Sequence, residues 1–149
     1  MQTSFTKPVD YDRDFYAWLM QNAELLREGR LESVDSVHLA EELEDMGKSE
    51  RRAIESYLKV LIVHLLKWRY QPERRSSSWE LSMANARDAI ARRLQDSPSL
   101  RSNLPEMVSA RYPNARRHTA LETGLPLEDL PDTCPFTLEQ LLDEGYLGE

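Results

Sequence analysis

Between Ser49 and Arg69 the chain sets Ile54, Leu58, Leu61, Leu65 and Trp68 at steps of four and three, and Pro72 then forbids continuation. The middle of this stretch, Val60 to Leu66, is apolar nearly all round. A helix of that kind is enclosed by other elements rather than laid on a surface. The spacing therefore predicts a central helix over about residues 49–69, and the rest of the chain must supply its surroundings. At 149 residues with 40% apolar side chains, three Trp, six Tyr and three Phe, one core is expected, and the composition argues against global disorder.

The flanking segments also read as helices. Residues 10–28 place Tyr11, Phe15, Trp18, Asn22, Leu25 and Leu26 at helical spacing, with Asp10 suited to cap the start and Gly29 to close the end. Asp35 is suited to cap a second helix whose stripe of Leu39, Leu43 and Met46 is expected on its buried face, with Gly47 as its stop. Ser77 and Glu80 form a capping-box pattern ahead of Met83, Ala86, Ile90 and Leu94. Pro105 opens an element carrying Val108, Tyr112, Ala115 and Thr119, kinked or broken at Pro113 and ended by Gly124. Thr137 and Gln140 make a second capping box before a short helix, Leu138 to Asp143. No stretch alternates like a strand, and no repeat recurs at a fixed period. The expectation is an all-α, compact helical bundle of about four to six helices around the central one. It forms a single domain over 1–149, with a flexible segment at 1–9 and, at 125–149, a loop and short helix packed on the bundle.

The segments HLAEELEDMGKSERR, HLLKWRYQPERRSSSW, ETGLPLEDLP and CPFTLEQLLDEGYL, in this order, resemble a bacterial family catalogued as domain of unknown function number twenty-nine, over about residues 10–147. The resemblance implies an all-α domain and no particular activity, ligand or partner.

Chemical motifs are sparse. There is no phosphate-cradling glycine loop, GxGxxG, HExxH or GxSxG, so the commonest nucleotide, zinc-protease and serine-hydrolase classes lose support. No catalytic residue is assigned. Cys134 is the sole cysteine, which rules out an intramolecular disulfide and a CxxC pair and fits a reducing, cytoplasmic setting. The amino terminus lacks the apolar run of a secretion signal, and Val60 to Leu66 is too short to span a bilayer; no membrane association is expected. One candidate metal site remains: His38 and Glu42, four apart on one helical face, with His64 from the central helix as a third ligand to a divalent ion. Against it, His38 and Glu42 fall away from the Leu39–Leu43–Met46 stripe, and a histidine in an apolar helix is commonly a structural one with a single hydrogen bond.

Charge is segregated. Residues 1–66 hold 8 basic and 13 acidic side chains, residues 67–117 hold 11 and 5, and residues 118–149 hold none and 8. In the basic middle, Lys67, Trp68, Arg69, Tyr70, Arg74 and Arg75 interleave cations with aromatics, a pattern suited to phosphates and stacked bases; Arg87, Arg92, Arg93, Arg111, Arg116 and Arg117 extend it. The competing reading is that the acidic tail folds over these cations while Trp68 and Tyr70 belong to the core. Glu41, Glu42, Glu44 and Asp45 form an acidic run that either meets a basic partner or is simply solvated. Three functions follow: a non-enzymatic protein-interaction or regulatory module, binding another protein or itself; a nucleic-acid binder acting through the patch at 67–75; and a metal-dependent hydrolase built on His38, Glu42 and His64.

Overall fold

The computed structural model describes residues 7–149. Residues 1–6, most of the segment expected to be flexible, lie outside the described residues. Within the described part, the backbone of Lys7 and Val9 is tied to the Gln21 side chain by bonds of 2.9 and 2.8 Å. Five α-helices follow in order: α1 (Phe15–Arg27), α2 (Ser36–Tyr70), α3 (Ser77–Asp96), α4 (Leu104–Thr123) and α5 (Leu138–Leu142). No strand occurs among the described residues, so the chain is all-α. It divides into two compact units, one up to Lys48 and one from Ser49 to Glu149.

In the first unit, α1 is capped four residues later than expected, at Asp14 rather than Asp10. Asp10 instead turns the chain through the Asp14 N–H to its carbonyl at 3.1 Å, and Asp14 caps α1 by accepting from the Ala17 N–H at 3.0 Å. Gly29 ends the helix in the left-handed region at φ 70°. The Arg30 N–H reaches back to the Leu25 carbonyl at 2.9 Å and that of Gly29 to Leu26 at 3.1 Å, which satisfies two carbonyls the helix leaves free.

The two helices expected either side of Gly47 are one. α2 runs through it for 35 residues, and Gly47 does not adopt the left-handed backbone that a glycine stop requires. Glycine at a helix interior costs about 1 kcal/mol against alanine, too little to end a helix anchored farther on by a long buried stripe.

In the second unit that stripe is the core. Ile54, Leu58, Leu61, Ile62, Leu65 and Leu66 of α2 are wholly buried. They join Met83, Ala86, Ile90 and Leu94 of α3, Leu104, Met107, Tyr112 and Ala115 of α4, and Phe136 and Leu141 from the carboxy-terminal segment. This is a helical bundle around the carboxy-terminal part of α2. α3 is capped one residue earlier than expected, by Ser76 accepting from the Trp79 N–H at 3.3 Å; Ser77 is already helical, and Glu80 therefore stands one place too far on for a capping box. α4 carries Pro113 without breaking and stops at Gly124 (φ 75°). The capping box at Thr137 and Gln140 forms as expected, with reciprocal bonds of 2.9 and 3.1 Å.

Candidate functional site

The first unit is closed by polar and aromatic contacts. The Asp35 carboxylate, at the start of α2, accepts from the Trp18 indole at 2.9 Å and lies 2.7 Å from Nδ1 of His38. The Tyr11 ring stacks on His38 at 4.2 Å between centroids and 9° between planes, and its hydroxyl donates to Glu42. Asn22 accepts from the Asp35 N–H at 2.8 Å and donates to the Trp18 carbonyl at 2.9 Å. Each partner sets another's charge. The bond to Asp35 raises the His38 pKa; the same bond, then that from Trp18, holds Asp35 below the usual carboxylate range; and donation to Glu42, reinforced by desolvation, pushes the Tyr11 phenol up to about 12.

This network reverses the expected orientation of α2. His38 and Glu42 sit on the face that meets the Tyr11 and Trp18 region, whereas Leu43 and Met46, expected on the buried face, are 60% and 64% exposed. α1 behaves alike. Trp18, Gln21, Asn22 and Leu25 are buried, while Phe15, Tyr16, Leu19, Met20 and Leu26 form a second apolar stripe that is exposed. A helix turns about 100° per residue, so Phe15, Leu19 and Leu26 fall within one narrow sector, with Tyr16 and Met20 beside it. Of the large apolar side chains exposed in the described residues, most belong to this first unit, with Leu31 and Val37 among them. The sign was visible in the sequence: α1 is apolar on more faces than one buried contact can use.

The proposed metal ligands are not brought together. His38 and His64 both lie on α2, and side chains separated by many turns of one continuous helix do not converge on an ion. Glu42 is engaged by Tyr11. His64 bonds the Val60 carbonyl at 2.7 Å and borders a groove of about 290 Å³ with Lys59, His118 and Glu122. Among the described residues no group of three or more His, Cys, Asp or Glu side chains is placed to hold a metal ion.

The basic and aromatic residues of 67–75 lie in the second unit, and most are committed within it. Lys67 pairs with Glu122 at 3.1 Å and stands 4.7 Å over the Trp79 ring. Arg69 donates to the Gly148 carbonyl at 2.6 Å and the Tyr146 hydroxyl at 3.0 Å, against the face of Phe136. Arg75 covers the buried Trp68, donates to its carbonyl at 2.9 Å and pairs with Glu149. Tyr70 is half-buried and packed on the core; Arg74 is exposed. Of the arginines expected to extend the patch, Arg87 is buried and donates to the carbonyls of Leu141 and Gln140 at 2.8 and 3.0 Å. Arg111 grips Glu55 at 2.7 Å, Arg116 holds the carbonyls of Leu130 and Leu127 and the Asp132 carboxylate, and Arg93 pairs with Glu50.

A cleft of about 380 Å³ opens beside α4 in the second unit, lined by Val108, Tyr112, Pro113, Cys134, Phe136 and Leu141 among others. Burial pushes the Cys134 thiol above its usual pKa, and the protonated thiol is a poor nucleophile.

A family model described as "Domain of unknown function DUF29" matches residues 11–147. No curated protein matches the chain, and no solved structure does.

Proposed function

We propose that this chain, which belongs to the DUF29 family, is a non-enzymatic protein-interaction module that docks a partner on the outer apolar stripes of its first unit. The observation that carries this reading is the concentration of exposed Phe15, Leu19, Met20, Leu26, Leu43 and Met46 in a unit whose α1 and α2 meet through Trp18, Asp35 and His38. Contiguous exposed apolar side chains mark an interaction surface, whereas scattered single ones do not, and Phe15, Leu19 and Leu26 share one face of α1. The engagement of Lys67, Arg69 and Arg75 by acidic and carbonyl groups of the same unit weighs against a nucleic-acid surface there. The sole cysteine supports work in a reducing cytoplasm. Among the described residues no helix is long and apolar enough to cross a membrane.

The test is a tagged full chain recovered from its own host beside the double variant Leu19→Ser, Met46→Ser. A specific stoichiometric complex with the first and none with the second, at equal helicity and thermal midpoint, is the expected result. Equal recovery of the same complex by both chains would refute the stripes as the docking surface.

A further inference from the structure

We infer that the partner presents a basic amphipathic helix, rather than a second copy of this chain; the inference rests on the docking reading above. Residues 1–48 carry 5 basic and 11 acidic side chains, a net charge of −6, against 14 and 15, net −1, for residues 49–149. Nearly all of the chain's excess negative charge therefore belongs to the unit that exposes the apolar stripes. Around the stripe of α2, Glu41, Glu44 and Asp45 are exposed in the same two turns as Leu43 and Met46. A helix is about 10 Å across, so those carboxylates act within roughly one Debye length of anything seated on the stripe.

Two such surfaces brought face to face would oppose like charges, which penalises self-association. A partner helix with an apolar stripe flanked by Lys and Arg meets both the shape and the field. The spacing supports a helix as occupant: the exposed Phe15, Leu19 and Leu26 stand four and seven residues apart on α1, and the exposed Leu43 and Met46 three apart on α2. Ridges at such spacings receive the side chains of another helix in their grooves.

The experiment places the photo-crosslinking residue p-benzoylphenylalanine at Leu19, at Met46 or, as control, at Leu81, which is exposed much as Met46 is but lies on α3. The full chain is irradiated in its native host and the crosslinked peptides are sequenced. Adducts from Leu19 and Met46 to a segment with apolar residues at three- and four-residue spacing and net positive charge are expected. Their yield should fall on the order of tenfold in the variant Glu41→Gln, Glu44→Gln, Asp45→Asn, as for association steered by complementary charge. Adducts to a second copy, or to an acidic or uncharged segment, overturn the inference while leaving the docking reading in place, and an unchanged yield in the neutralised variant also overturns it. Yields from Leu19 and Met46 no higher than from Leu81 overturn both.

Discussion

The imidazole of His38 lies 2.7 Å from the carboxylate of Asp35, three residues back at the start of the same helix, and the pair meets the Trp18 indole from α1. Because the contact raises the His38 pKa above its ordinary 6.5, its stabilisation is fully present below that value and is lost as pH rises through the raised one. Because it lowers the Asp35 pKa from 3.8, that contribution is present above 3.8 and is lost as pH falls through the lowered value. The first unit should thus be held most firmly between about pH 4 and 6.5. A histidine proton-resonance titration should give His38 a pKa above 6.5 in the native chain and one nearer 6.5 in Asp35→Asn; an unchanged value would dissociate the shift from this bond.

Arg87 is a buried cation whose charge is answered mainly by two backbone carbonyls of α5, and desolvation lowers its pKa. Arg87→Met removes both donors and leaves the Leu141 and Gln140 carbonyls without them, at a cost of about 2–3 kcal/mol. Urea denaturation should show that loss, and amide exchange should show α5 protected less than α3 or α4.

A methyl group added at Gly47 would meet no atom within 4 Å, and the backbone there is ordinary helix. Gly47→Ala should therefore stabilise α2 by about 0.5–1 kcal/mol, read as a rise in thermal midpoint by circular dichroism. A fall would mean that the glycine serves a conformation other than the continuous helix.

Leu58 and Leu43 are both α2 leucines, one wholly buried and the other mostly exposed. Leu58→Ala should cost about 2–5 kcal/mol, whereas Leu43→Ser should stay within about 0.5 kcal/mol. Calorimetry on the two variants checks the contrast, and a large loss from Leu43→Ser would place that side chain in a core.

Gly148 stands at φ +104°, and a methyl group there would lie 2.7 Å from the Leu65 carbonyl oxygen. Gly148→Ala should displace the chain end and break the Arg69 bond to its carbonyl, leaving the core intact. Trypsin cleavage after Arg69 and amide exchange at Tyr146 should both quicken.

What was legible in the sequence depended on how many physical requirements a residue answers. Ile54 to Trp68 could be read because a stripe on both sides of an enclosed helix has only one use. Gly29, Gly124 and the Thr137–Gln140 box could be read because each closes its own helix end with its own atoms. Gly47 misled because a stop signal is local, while the continuation of α2 is anchored by side chains farther along. Leu39, Leu43 and Met46 form a stripe, yet periodicity defines a face without saying what meets it; the contacts of Tyr11 with His38 and Glu42 turn the other face inward and leave Leu43 and Met46 exposed. Arg87 could be read as one of a run of cations that the tail covers, but not as the buried one, since a buried arginine and a solvated one look alike in one dimension.

The carboxy-terminal segment, with no cation among residues 118–149, supplies partners to Lys67, Arg69, Arg75, Arg87 and Arg116. It behaves as a tethered counter-ion, present at an effective concentration of order millimolar even before any contact forms. Polyanions in solution would have to compete with that built-in occupant for the basic side chains of residues 67–117.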